Sequence, residues 1–137
     1  HGKRGVGLAR AQSYGESFDR YLLKNTNKEF EIIVQIEHID AVHNLDEIIN
    51  EDEVNGFMIG PYDLSASLGE PGNFESDQYK NALNIIEEKS KKHNKKQGIH
   101  LIEPNRNMLN ELIDKNYDFI IYSFDARMLS ISAKELF

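Results

Sequence analysis

Glu31-Ile32-Ile33-Val34-Gln35-Ile36 decides how the rest of the chain is read. Four of these six residues are β-branched, and the apolar positions have no helical spacing. That pattern predicts a strand buried on both faces, as in a parallel sheet. Downstream, Ala41–Asn50 carries Val42, Leu45, Ile48 and Ile49 at helical spacing. A second strand is expected at Gly56–Ile59, ended by Gly60-Pro61. Asn55-Gly56 is a hairpin signal, but Asn50–Glu53 offers no strand to pair with, so the hairpin is rejected. A long helix follows at Asp77–His93, with Leu83, Ile85 and Ile86 and a lysine-rich end suited to a helix C-terminus. A third strand is expected at Gly98–Ile102, closed by Pro104, and then a helix at Asn105–Asn116 with Met108, Leu109, Leu112 and Ile113 on one stripe. Asp118–Tyr122 reads as the fourth strand, after which Asp125 can cap a last helix, Ala126–Leu136. Upstream, Glu16–Asn25 reads as a helix with Phe18, Tyr21, Leu22 and Leu23.

From residue 31 onward the order is βαβαβαβα, the signature of parallel βαβ units and an α/β fold. Two architectures fit four such units. One is a small doubly wound sheet. The other is half of a (β/α)8 TIM barrel, which in full takes about 250 residues. Four open parallel strands would leave two long edges exposed. Composition and periodicity do not separate the two.

The 137 residues include 16 Lys+Arg and 23 Asp+Glu, a net charge of −7. With 39% hydrophobic and 28% charged residues, a soluble globular chain is expected, and one domain over residues 1–137. An isoelectric point near 5.2 argues against nucleic-acid binding, which needs a basic face. No apolar run approaches the roughly 18 residues of a membrane span, and the first residues do not read as a secretory leader. The absence of cysteine excludes disulfides, thiolate catalysis and Cys-based metal sites, and fits the cytoplasm.

In parallel α/β folds, ligands bind at the C-terminal ends of the strands. The polar residues there are Gln35 and Glu37, Gly60 through Ser65, His100 and Glu103, and Ser123 and Asp125. Glu37 and Asp63 end consecutive strands, and neighbouring strands lie about 4.8 Å apart. Two carboxylates that close repel unless a proton or a cation lies between them. An all-oxygen site of this kind suits Mg²⁺ or Mn²⁺. In the alternative, Glu37 bonds a helix N-terminus and Asp63 caps a Leu64–Leu68 turn. The amides of Tyr62 and Asp63, after the rigid Gly60-Pro61 turn, could face an anion as a small nest; the alternative is an ordinary βα turn. His38 and His43 are five apart and share no helix face, so a zinc pair is not expected. His100 is expected to be a hydrogen-bonded core histidine, with substrate contact as the alternative. Glu103 is expected to bond nearby backbone, and the lysines at 89, 91, 92, 95 and 96 to form a solvated helix end.

Val34-Gln35-Ile36-Glu37 followed by Asn55-Gly56-Phe57-Met58-Ile59-Gly60-Pro61-Tyr62-Asp63-Leu64-Ser65 resembles the HpcH/HpaI aldolase family. Gly2–Ala11 is similar to the family's loop after its fourth strand, and Gly98-Ile99 and Asp118–Asp125 fit in order. The resemblance covers the whole chain but only the C-terminal half of the family's barrel. It implies a metal-dependent class II aldolase, a carbon–carbon lyase that cleaves a 4-hydroxy-2-oxo acid to pyruvate, or a pyruvate analogue, and an aldehyde. It implies that Glu37 and Asp63 ligate the metal, Mg²⁺ or Mn²⁺ with Co²⁺ as a third candidate. Gln35 would lie near the substrate, and the amides of Tyr62 and Asp63 would bind the 2-oxo acid's carboxylate. It also implies a homo-oligomer through the last helix. The family's arginine and its histidine proton relay come from a region outside this sequence, so no further catalytic residue is assigned here. Two rival readings are a malyl- or citramalyl-CoA-type lyase with the same metal pair, and a non-catalytic barrel fragment that needs a partner chain.

Overall fold

The computed structural model describes residues 7–26 and 30–134, with the backbone alone for 24–26. The chain divides into two compact units, 1–31 and 32–137. In the first, a 3₁₀ segment Arg10–Gly15 precedes α1 (Phe18–Thr26). Gln12 is buried there, and its Oε1 accepts the Ala9 N–H at 2.7 Å. The family-like opening lies partly outside the described residues.

The second unit is built on four parallel strands: β1 (Ile33–Ile36), β2 (Gly56–Ile59), β3 (Lys96–Leu101) and β4 (Phe119–Tyr122). Between them run α2 (Ile39–His43), α3 (Leu45–Asn50), α4 (Pro61–Ser67), α5 (Asp77–Ser90) and α6 (Arg106–Asp114), and α7 (Asp125–Lys134) follows β4. The spatial order β1-β2-β3-β4 repeats the chain order. A doubly wound sheet reverses direction at a switch point. Steady progression with right-handed crossovers puts every helix on one face, which is how a (β/α)8 barrel is wound. The fold is therefore α/β of the barrel type, with four of its units.

Register separates the two faces of the sheet. Val34 and Phe57 share one row of the covered face, and Ile36, Ile59, Ile99 and Ile120 share the next. Against them pack Val42, Leu45 and Ile49 from α2–α3 and Tyr79, Ala82 and Ile86 from α5. The other face carries Gln35, Met58, Gly98 and Phe119 in one row, and Glu37, Gly60, His100 and Ile121 in the next. Ile33, Gln35, Glu37 and Ile121 are exposed there. β1 was expected to be buried on both faces, but only its Val34–Ile36 side is covered in this chain. A Cβ at Gly98 would overlap the Phe119 ring, so only glycine admits that ring onto the sheet.

Local chemistry explains the departures from the expected elements. The single helix expected over 41–50 is two, broken at Asn44, whose side chain donates to the Asp40 carbonyl at 3.0 Å. The carbonyls freed at the end of α2 are taken by Lys89, whose Nζ donates to Val42 O at 3.2 Å and His43 O at 2.6 Å. Lys95 likewise donates to Glu51 O and Val54 O. The lysine-rich stretch at and after the end of α5 is therefore not merely solvated, since Lys89 and Lys95 cap carbonyls of the neighbouring βα unit. Ser76 caps α5 and Asn105 caps α6 through their side-chain oxygens.

Candidate active site

Glu37 and Gly60 lie side by side at the ends of β1 and β2, where the Gly60 N–H donates to Ile36 O at 3.1 Å. Gly60 has an ordinary φ of −99°, so its value here is space rather than conformation. A Cβ on Gly60 would lie 2.6 Å from Gln35 Nε2, 3.2 Å from Glu37 Cβ and 3.4 Å from Glu37 Oε2. Only glycine therefore lets the Gln35 amide and the Glu37 carboxylate close against the backbone here, in a shallow notch at the strand ends. α4 begins directly after it, with Gly60 as N-cap and Pro61 at the first helical position. The Tyr62 and Asp63 amides fall in the first turn, where no helical carbonyl precedes them. The Asp63 carboxylate sits in the same turn and is exposed.

Neither ordinary role expected for the two carboxylates is seen. The amides that open α2 are already served. Ser67 Oγ accepts Ile39 N–H at 3.0 Å, and His38 Nδ1 accepts Asp40 N–H at 3.2 Å. Leu64–Leu68 is not an isolated turn, because the helix starts at Pro61 and contains Asp63. Among the described residues, Glu37 and Asp63 make no side-chain hydrogen bond or ion pair.

Two serines hold the rim together, and nothing in their spacing announced it. Ser67 Oγ also donates to Leu64 O at 2.7 Å, so it ties the loop after β1 to the helix after β2. Buried Ser65 donates to Tyr62 O at 2.7 Å and accepts Gly72 N–H at 2.9 Å. The sequence reading gave Tyr62 a role for its amide alone. Its ring packs edge-on against Phe74, with centroids 5.0 Å apart, and so also braces the start of α4.

His100 is hydrogen-bonded as expected, its Nε2 lying 3.3 Å from Ser123 O, but it is not a core residue: it is half-buried in the open-face row of Glu37 and Gly60. Glu103 departs from expectation: it bonds no nearby backbone and instead grips Arg127, with Nε to Oε1 at 3.1 Å and Nη2 to Oε2 at 2.7 Å. That pair links the loop after β3 to the first turn of α7. The Glu103 hydrogen bond and charge hold the guanidinium above its usual range. Asp125 Oδ1 accepts the Ala126 N–H at 2.7 Å, as expected of a residue opening α7.

The comparisons with known proteins bear on this arrangement. The sequence profile of the HpcH/HpaI aldolase/citrate lyase family matches residues 2–131. The chain belongs to that family. A family relative, a 5-keto-4-deoxy-D-glucarate aldolase of Enterobacter sp. (strain 638), is 38% identical over 99 residues, covering 72% of this chain and 38% of the relative. A 2-keto-3-deoxy-L-rhamnonate aldolase of Escherichia coli (strain K12 / DH10B) is 44% identical over 75 residues, covering 53% of this chain and 27% of the relative. The solved structure of an HpcH/HpaI aldolase/citrate lyase family protein from Burkholderia cenocepacia J2315 superposes with a TM-score of 0.81 at 26% identity. That match covers 98% of this chain and 51% of the other. The chain thus spans about half the length of family members it matches.

The HpcH/HpaI family is typically divalent-metal dependent, and the side chains of Glu37 and Asp63 at these strand ends are oxygen donors of the kind a hard cation takes. The Gly60 notch lies between an amide and a carboxylate, and a second carboxylate follows in the next turn. Among the described residues, no group of three or more His, Cys, Asp or Glu side chains could hold a metal. A cation at Glu37 and Asp63 would complete its coordination with substrate and water, the habit of Mg²⁺ rather than of a closed zinc site. Among the described residues, no helix is long and apolar enough to cross a membrane.

Proposed function

We propose that this chain carries the metal- and 2-oxo-acid-binding part of a class II pyruvate aldolase. The observation that carries the reading is the Gly60 notch, flanked by the Gln35 amide and a Glu37 carboxylate that has no other partner among the described residues. Glu37 and Asp63 hold the divalent cation, Mg²⁺ or Mn²⁺. The amides of Tyr62 and Asp63 receive the substrate carboxylate at the positive end of the first turn of α4. Gln35 donates to an oxygen of the 2-oxo acid lying over Gly60. As the C3–C4 bond of a 4-hydroxy-2-oxo acid breaks, its electron pair moves toward the 2-oxo group and the C4 hydroxyl gives up its proton. A bound divalent cation supplies Lewis-acid stabilisation of the developing charge. Two carboxylates offset the +2 of the cation, so the charge developing on the 2-oxo oxygen needs donors beyond these amides and Gln35, and the hydroxyl proton needs an acceptor.

The substrates are a 2-oxo acid and an aldehyde, in keeping with the deoxy-keto acid aldolases among the relatives. The last helix packs on a neighbouring subunit, since Met128 and Leu129 of α7 stand 38% and 71% exposed. For the complete protein, chelation should stop pyruvate release from a 4-hydroxy-2-oxo acid, and added Mn²⁺ or Mg²⁺ should restore it. Glu37→Gln or Asp63→Asn should prevent restoration. Cleavage indifferent to chelator and to both substitutions would overturn the proposal, and turnover confined to CoA thioesters would replace it with a malyl-CoA-type lyase.

A further inference from the structure

His100 stands two strands from Glu37 in the same row of the open face, with Gly60 between them. Two strand spacings separate the backbones by about 10 Å. Gly60 adds no side chain of its own to the gap, into which the Gln35 amide leans, so a small molecule bonded to that amide can lie between the two residues. The orientation of the ring is set from behind. Its Nε2 faces the Ser123 carbonyl, which can only accept, so Nε2 carries the proton and the neutral ring keeps its lone pair on Nδ1. Nδ1 has no partner among the described residues. The carbonyl that fixes this tautomer is itself pinned. Ser123 is buried, holds a left-handed φ of 58°, and donates its N–H to Leu101 O at 2.7 Å. Its own Oγ is buried without a partner. A serine kept in a strained conformation with an unsatisfied hydroxyl lowers stability, and such strain gathers at functional positions.

We infer that His100 is a specificity-determining residue whose Nδ1 accepts a hydrogen bond from a substrate hydroxyl beyond C4. The site thereby selects hydroxylated 2-oxo acids over analogues that lack that hydroxyl. The inference rests on the proposed aldolase reading. A site that reserves an acceptor for a hydroxyl penalises a ligand without one, because the acceptor is then left desolvated and unpaired.

The test uses the complete protein with Mg²⁺ and two ligands that lack the C4 hydroxyl and cannot be cleaved, 5-hydroxy-2-oxopentanoate and 2-oxopentanoate. The hydroxylated ligand should bind about tenfold more tightly, and His100→Phe should abolish the difference. His100→Asn, whose Oδ1 can stand in for Nδ1, should retain most of it. With ¹⁵N-labelled histidine, the free protein should show the Nε2–H tautomer, and the Nδ1 resonance should move with the hydroxylated ligand only. His100→Phe should likewise lower the preference for glycolaldehyde over acetaldehyde in aldol addition to pyruvate, chiefly through KM, and His100→Asn should keep most of it. Equal binding of the two ligands by the wild type, or a preference that survives His100→Phe, would overturn the inference. A proton on Nδ1 in the free neutral ring would do the same, even if both variants failed to fold. Wild-type protein that binds neither ligand with Mg²⁺ would instead refute the aldolase reading, and this inference with it.

Discussion

The two faces of the sheet use the same strands for opposite purposes. On the covered face, Ile36, Phe57, Ile59 and Ile99 are buried against helices. On the open face, the alternate positions are Gln35, Glu37, Met58, Gly60, Gly98 and His100, a mixture of polar groups and missing side chains. The covered face carries stability and the open face carries chemistry, and a shift of one residue in register would exchange them. The comparison can be broken most forcefully by paired truncations. Phe57→Ala should cost about 3–5 kcal/mol, as for a fully buried aromatic. The adjacent Met58→Ala, half-buried on the open side, should cost well under half of that. Urea unfolding of this chain measures both, and equal losses would mean that the open face is covered in solution.

The notch gives a sharper contrast. Gly60→Val should weaken Mn²⁺-dependent pyruvate binding more than tenfold, because the new side chain occupies the space beside Gln35 Nε2 and Glu37. The far-ultraviolet circular dichroism should be unchanged, since the Gly60 φ suits any residue. Retained affinity would show that ligand does not lie over Gly60. Ser123→Gly should act in the opposite sense and raise the unfolding free energy by about 1 kcal/mol, by relieving a left-handed serine. It should leave the carbonyl beneath His100 in place. A loss of stability would mean that the hydroxyl has a partner.

Behind the covered face, an acid-sensitive clasp joins α3 to α5. His93 Nε2 lies 3.1 Å from Asp46 Oδ1, and Lys89 Nζ lies 3.2 Å from Asp46 Oδ2. The His93 hydrogen bond, and then that from Lys89, hold the Asp46 carboxyl below its ordinary 3.8. A folded-state value below the unfolded one adds stability above the unfolded value, and that stability is lost as pH falls through the folded one. Asp46→Asn should therefore flatten the loss of stability below about pH 4. An unchanged acid limb in pH-dependent unfolding would count against the clasp.

Much of this fold was legible because strands and helices differ in apolar period. β2 was read to the residue, and β1, β3 and β4 to within two. The break at Asn44 was not legible, since the spacing of Val42, Leu45, Ile48 and Ile49 runs straight through it. α4 was hidden because Gly60-Pro61 reads first as a strand terminator, although proline is equally at home in a first helical turn. The roles of Lys89 and Lys95 were invisible for another reason: their carbonyl acceptors lie more than 40 residues away in sequence. Glu103 was misread on the same ground, since Arg127 is 24 residues downstream. At the candidate site, the Q-x-E and G-P-x-D-L-S motifs marked Gln35, Glu37, Tyr62 and Asp63. Of the serines bracing them, Ser65 was a plain residue within a motif and Ser67 lay just past it, and His100 was placed in the row of Glu37 only by register.

The central claim is that Glu37 and Asp63 share one divalent ion, and Mn²⁺ binding to the complete protein tests it most directly. Electron paramagnetic resonance of free Mn²⁺ should report one site per chain, with affinity weakened at least tenfold by Glu37→Gln and by Asp63→Asn. The double substitution should cost less than the sum of the two, as expected for ligands of one ion. Wild-type affinity in either single variant would contradict it.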